Sequence, residues 1–249
     1  SSGGVALGMN VRLARSSVVA RIAISSGHDF LFIDRQHGLY DVETVGHIAH
    51  SALGCGVAPL VRVRSCDDPN TALLLDNGVT GVVFPDINNS AEAQRGVDRA
   101  KFAPVGKRSV GGAFPHFDYE PLPVDEATAR INDLTLVVCM VETRAGLENV
   151  EAIAAVDGVD EVHVGSNDLL LDMAMPGQFG SPEHVAAIDR VIEACAANGK
   201  VAGLGGERDL ARQVNFIRKG TRFVTTQTDL RFLQLAATNH TVALREALV

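Results

Sequence analysis

The sequence predicts an α/β fold of one kind, a (β/α)₈ TIM barrel spanning residues 1–249 as a single domain. Three observations carry that expectation. Apolar strand-like runs alternate with helix-like stretches eight times, several of the runs stop abruptly at a polar residue, and 249 residues is the length such a barrel needs. A doubly wound open sheet is the competing fold, but no glycine-rich phosphate turn follows the first strand.

The elements are read in order. Val5 to Met9 is a weak first strand, and Val18, Val19, Ile22 and Ile24 give a helical face within Ser16 to Ser26. Asp29 to Asp34 is a short, continuously apolar run that ends on an acid, the pattern of a strand buried on both faces. Asp41 is placed to cap a helix reaching about Leu53, because a carboxylate just before a periodic segment accepts free N–H groups. Ala58 to Val63 is the third strand, Asp67 and Pro69 open a helix to Asp76, Gly81 to Phe84 is the fourth strand, and Ser90 to Lys101 is a helix. The rhythm then breaks: Phe102 to Pro123 carries four prolines and three glycines and reads as a long loop, which inside a compact domain is usually functional or disordered.

The alternation resumes with Leu134 to Glu142 as strand five and Thr143 to Val156 as a helix. Glu161 to Gly165 is strand six, followed by a short helix from Ser166-Asn167-Asp168 and an irregular stretch, Met175 to Gly180. Pro182 to Asn198 is an amphipathic helix, Val201 to Leu204 strand seven, Asp209 to Lys219 a helix, Arg222 to Thr226 strand eight, and Asp229 to Leu248 the last helix.

Composition narrows the function. A formal charge of −8 without a local Lys/Arg block argues against nucleic-acid or anionic-membrane partners. No segment has the length of a membrane span, and no charged start leads into an apolar export segment, so a cytoplasmic protein is expected. The four cysteines, Cys55, Cys66, Cys139 and Cys195, are widely spaced and read as reduced thiols, with pairing between distant ones left open.

In a barrel every strand's C-terminal end opens on one face, which gathers scattered polar residues into one pocket. Asp34, Gln36 and His37 follow strand two, Arg62 ends strand three, Glu142 ends strand five and Asp168 follows strand six. Glu142 and Asp168 stand on neighbouring strands, and two carboxylates with open positions suit a divalent, oxygen-seeking cation. The competing reading makes each acid a helix cap. His37 has the titration range for proton transfer, with Asp34 three residues before it to orient the ring; a surface role is the alternative. Arg62, inside an apolar run, calls for an anionic partner, which a carboxylate or enolate oxygen would supply; the alternative is a strand arginine with a buried stem whose head reaches water. His47, His50 and His163 read as solvated or core residues.

These residues carry a resemblance. Asp34-Arg35-Gln36-His37-Gly38 resembles the D-x-[EQ]-H-G turn of the HpcH/HpaI class II pyruvate aldolases, the 4-hydroxy-2-oxoheptanedioate (2,4-dihydroxyhept-2-enedioate) aldolase family. Val61-Arg62-Val63 with Asp67-Asp68-Pro69 and Leu74-Leu75-Asp76-Asn77-Gly78, the Pro104 to Gly112 loop, Val141-Glu142-Thr143, and Val164-Gly165-Ser166-Asn167-Asp168-Leu169 follow in the family's order. The resemblance implies a barrel whose last helix is exchanged between subunits, a hexamer built as a trimer of dimers, and a metal-dependent aldol reaction through a pyruvate enolate. It implies that Glu142 and Asp168 hold Mg²⁺, Mn²⁺ or Co²⁺, that Gly165, Ser166 and Asn167 receive the pyruvate carboxylate, and that Arg62 stabilises the enolate oxygen. His37, paired with Asp34, would manage protons, and Asp76 would reach His37 of an adjacent subunit. The substrates implied are a keto acid, pyruvate, and an aldehyde. Met140 stands where the family often has Gln, and a thioether cannot donate a hydrogen bond. The alternatives are an acyl-CoA lyase of the malyl- or citramalyl-CoA type and a barrel that binds a keto acid or metal without turnover.

Overall fold

A computed structural model describes residues 4–248. Eight parallel strands close in sequence order into a barrel, each paired with the next and β8 with β1. The strands are β1 (Ala6–Val11), β2 (Phe30–Asp34), β3 (Ala58–Arg62), β4 (Gly81–Phe84), β5 (Leu136–Val141), β6 (Glu161–Gly165), β7 (Val201–Gly205) and β8 (Thr221–Thr228). The helices are α1 (Val18–Ser25), α2 (Val42–Cys55), α3 (Thr71–Asp76), α4 (Ser90–Ala100), α5 (Val124–Leu134), α6 (Arg144–Glu148), α7 (Val150–Ala154), α8 (Ser166–Asp172), α9 (Pro182–Ala197), α10 (Leu210–Lys219) and α11 (Asp229–Ala247). The TIM-barrel expectation is met.

Strand parity decides what faces inward. Leu31, Ile33, Val61, Val82, Phe84, Val137, Cys139, Val141, Val162, Val164 and Leu204 pack outward with the helices in one apolar layer. Phe30, Phe32, Leu60, Val83, Val138, Met140 and Phe223 form a second cluster inside the barrel. Phe30 stacks on Phe223 with ring centroids 3.9 Å apart, and Gly8 is what admits the Phe30 ring, since a Cβ there would stand 2.0 Å from it. The two-residue period of a strand carries this inward set upward to Arg12, Asp34, Arg62, Glu142, Gly165, Gly205 and Gln227. The site is therefore the polar lid of an apolar plug.

Two departures from the expected elements concern the middle of the chain. Helix α5 occupies residues 124–134, where the sequence reading assigns no element before Leu134, its first residue of strand five, and β5 starts at Leu136. Val124, Ala127, Ile131 and Leu134 of α5 stand at helical spacing, but no side-chain cap marks its start after Pro123. The single helix expected over Thr143 to Val156 is two short ones, broken at Asn149, whose side-chain amide donates to the Asn88 and Ala145 carbonyls. All four cysteines are free.

Candidate active site

The strand ends enclose a cavity of about 490 Å³, lined among others by Asn10, Arg12, Asp34, His37, Arg62, Met140, Glu142, His163, Gly165, Ser166, Asn167, Asp168, Arg208 and Gln227. Of the residues expected to meet, Asp34, His37, Arg62, Met140, Glu142, Gly165, Ser166, Asn167 and Asp168 all line it.

Asp34 is fully buried and is the electrostatic hub. Its Oδ1 accepts from Arg62 Nε at 3.0 Å and from the backbone N–H groups of Gln36 and His37 at 3.1 and 3.2 Å. Its Oδ2 accepts from Arg62 Nη2 at 2.7 Å and lies 3.0 Å from Arg12 Nε. Burial alone would raise its pKa, but the hydrogen bonds and charge of Arg62, the His37 N–H and Arg12 outweigh that and hold it below the usual carboxylate value. This corrects the expectation that Asp34 orients the His37 ring. With four hydrogen bonds and the Arg12 ion pair its two oxygens are occupied, so it fixes the turn and the guanidinium, and His37 stands exposed.

Arg62 is buried and keeps one donor edge beyond the Asp34 fork: Nη1 lies 3.7 Å from the Met140 sulfur, a weak acceptor. The Phe32 ring lies under the guanidinium, 5.6 Å from its carbon. Met140 thus contributes an acceptor where a glutamine would offer a donor as well.

Glu142 is buried. Its Oε1 accepts the Asp86 N–H at 3.0 Å, and its Oε2 has no hydrogen-bond partner among the described residues. Burial pushes its pKa up to about 7, with the charges of Asp86 and Asp168 adding to the rise. A helix-cap role is ruled out by Thr143, whose Oγ1 accepts the Gly146 N–H at 3.0 Å and caps α6. Asp168 sits in the first turn of α8, and no side chain caps that helix. Gly165 makes room for the acid: a Cβ there would lie 2.4 Å from Glu142 Oε2. Asp86, two residues beyond β4, supports the arrangement with a left-handed φ of 54°, strained for a residue other than glycine.

Among the described residues no three His, Cys, Asp or Glu side chains are grouped to enclose a metal ion. The donor set nevertheless fits a hard divalent cation that takes two carboxylates and fills its other positions with substrate and water oxygens. The orphaned Glu142 Oε2 is the atom that fit explains.

Sequence reading missed several lining residues. His163, expected in a core or solvated role, is fully buried yet borders the cavity; its Nδ1 is 2.8 Å from Glu161 Oε1, while its Nε2 is unpartnered. Burial lowers its pKa to about 3 and raises that of Glu161 well above the ordinary value. Asn10, Arg12, Arg208 and Gln227 also line the cavity. Inward strand parity is the signal that marks Asn10, Arg12, His163 and Gln227. Asp76 lies outside the cavity, in an ion pair with Arg108.

A hollow elsewhere, beside Lys101 and Asp160, has about 630 Å³. Its ammonium group is already held by the Asn132 and Thr135 carbonyls and by Asp160 at 3.3 Å, so it offers little to a ligand.

Comparison with known proteins agrees with this geometry. The family model described as HpcH/HpaI aldolase/citrate lyase matches residues 7–234. A 4-hydroxy-4-methyl-2-oxoglutarate aldolase of Chaetomium globosum is 35% identical over 243 residues, covering 95% of this chain and 90% of that protein. One of the same name from Hapsidospora irregularis is 36% identical over 244 residues, covering 95% and 89%. The crystal structure of an HpcH/HpaI aldolase from Desulfitobacterium hafniense superposes with a TM-score of 0.93 at 27% identity, covering 98% of this chain and 94% of that one. The chain belongs to the HpcH/HpaI aldolase/citrate lyase family and is a carbon–carbon lyase.

Proposed function

We propose that this lyase is a metal-dependent, class II aldolase that cleaves 4-hydroxy-2-oxo acids to pyruvate and a carbonyl fragment, and that runs in reverse as well. The observation that carries the reading is the unpartnered, buried Glu142 Oε2 in one cavity with Asp168 and the guanidinium of Arg62. Glu142 and Asp168 would hold Mg²⁺, Mn²⁺ or Co²⁺, which when bound supplies Lewis acidity at the 2-oxo group.

The remaining chemistry belongs to the chain. In cleavage the 4-hydroxyl gives up its proton, its C–O bond becomes a carbonyl, and the C3–C4 bond electrons pass into the pyruvate enolate, which then takes a proton at C3. Arg62, fixed by Asp34, stabilises the enolate oxygen with its remaining donor edge. His37 handles the protons. Ser166, whose Oγ is buried and unpartnered, and the first N–H groups of α8 near Asn167 receive the carboxylate, and Gly165 keeps that approach open. The substrate named for the two fungal relatives, 4-hydroxy-4-methyl-2-oxoglutarate, falls in this class and would yield two pyruvates.

The proposal extends to assembly. Helix α11 has no buried residue, and Leu230, Phe232, Leu233, Leu235, Val242 and Leu244 are exposed on it, which supports exchange of that helix between subunits of a hexamer built as a trimer of dimers. Asp76 would then serve a neighbour's His37. No described helix is long and apolar enough to cross a membrane, and the cytoplasm is the proposed location.

Pyruvate release from 4-hydroxy-2-oxo acids tests the reading. Loss on chelation and recovery with Mn²⁺ is expected. Turnover confined to acyl-CoA thioesters would favour the CoA-lyase alternative, and no turnover of either class would leave a binding barrel.

A further inference from the structure

The charges lining the cavity do not cancel pairwise. Asp34 is matched by Arg62 and Arg12 together, and Glu142 with Asp168 is matched by the cation proposed above. Arg208 is left over. It makes no salt bridge among the described residues, because the adjacent Glu207 carboxylate is taken by Arg212 at 2.7 Å. Burial lowers its pKa to about 10, so it remains a cation at neutral pH in a site where a lone charge is costly.

Its position is built. Arg208 Nη1 donates to the carbonyls of Thr225 at 2.6 Å and Thr226 at 3.0 Å, which moors one arm of the guanidinium to β8 and leaves Nε and Nη2 without partners among the described residues. The loop that carries it is pressed against the carboxylate-receiving turn by Gly206, whose φ is 86° and where a Cβ would stand 3.0 Å from Asn167 Nδ2. Arg12 lines the same cavity; Asp229 accepts its backbone N–H at 2.9 Å, and its Nε lies 3.0 Å from Asp34 Oδ2.

We propose that Arg208 binds a second carboxylate of the substrate, remote from the 2-oxo acid head, so that the carbonyl fragment released or accepted is itself an oxo acid. A planar guanidinium with two free donors facing the cavity suits a carboxylate, and a neutral aldehyde would leave those donors unmatched. This rests on the aldolase reading, since it takes the head of the substrate to lie at Glu142, Asp168 and Ser166.

The test is calorimetric binding of two stable analogues to the Mn²⁺-loaded protein: 2-oxoglutarate, which has the distal carboxylate, and 2-oxopentanoate, which lacks it. Wild type should favour 2-oxoglutarate by about tenfold or more. Arg208→Gln should abolish that preference while its affinity for 2-oxopentanoate stays within about twofold, which also reports an intact site, and Arg208→Lys should restore part of the preference. Equal binding of the two acids by wild type, or a preference that survives in Arg208→Gln, overturns the assignment. Failure of the wild type to bind 2-oxopentanoate at all strikes instead at the aldolase reading, because that ligand has only the head.

Discussion

Asp34 and Arg62 form a two-point ion pair inside the barrel, with Nε to Oδ1 at 3.0 Å and Nη2 to Oδ2 at 2.7 Å. The Asp34 side chain is 0% exposed and that of Arg62 9%. Adjacent parallel strands in register, Asp34 opposite Arg62, set the geometry before any side chain moves. The pair costs desolvation and returns orientation: the arginine's remaining edge is aimed rather than free. Asp34→Asn would leave the arginine without its buried anion, so a loss of about 3–5 kcal/mol in unfolding free energy is expected, offset in part by the remaining amide oxygen. Turnover should fall far more than substrate affinity, because the misplaced donor matters most when charge builds on the enolate oxygen. Urea unfolding and kcat against KM check both halves; a fully active, equally stable variant would remove Asp34 from the hub.

Glu142→Gln separates ion binding from folding. The unpartnered Oε2 means the wild-type carboxylate is buried at a cost, so the neutral amide should leave the apoprotein at least as stable at pH 8. Mn²⁺ at 100 times its Kd should stabilise the wild type by about 2.7 kcal/mol and the variant by much less. Thermal unfolding with and without Mn²⁺ reads this without any substrate, and equal stabilisation of the two proteins would take Glu142 out of the metal site.

His37→Asn should keep Mn²⁺ affinity and slow turnover by about 10²- to 10⁴-fold, the range of general acid–base catalysis. The side chain is exposed and borders the cavity, so the fold should tolerate the change. A raised KM at unchanged kcat would assign the ring to binding instead.

The fold was legible because the barrel's strands announce themselves one by one as apolar runs ending in polar residues. The site was legible on β2, β3, β5 and β6, where those endings are abrupt. It was not legible on β1, β7 and β8. There Asn10 and Arg12 sit in and just beyond a strand that reads as weak, Gln227 is on a polar strand, and Arg208 lies beyond β7, a short strand with glycine at two of its five positions. Nor could sequence assign the partners of Asp34, since two of its four hydrogen-bond donors are backbone N–H groups and its second cation, Arg12, follows a strand that is read to Met9 and runs to Val11. Helix α5 has an apolar stripe of Val124, Ala127, Ile131 and Leu134, but it follows directly on a proline-rich loop with no capping side chain to mark its start.

The Glu161 and His163 pair gives the last prediction, one of pH and packing together. Gly203 on β7 faces His163 in register, and a Cβ there would stand 1.7 Å from Glu161 Oε1 and 2.5 Å from His163 Nδ1. Gly203→Ala must therefore displace the pair, and a loss of about 1–3 kcal/mol is expected from overpacking alone. The pH effect follows from burial, which lowers the His163 pKa from 6.5 to about 3. The unfolded chain takes up a proton below pH 6.5 that the folded site refuses, so this residue's contribution to stability is intact above that value and is lost as pH falls from 6.5 towards 3. His163→Gln, whose amide can still meet Glu161, should flatten that part of the profile. Urea unfolding at pH 7.5 and pH 5 should then show a smaller acid loss in the variant than in the wild type, and identical slopes would mean that His163 titrates as freely in the folded barrel as in the unfolded chain.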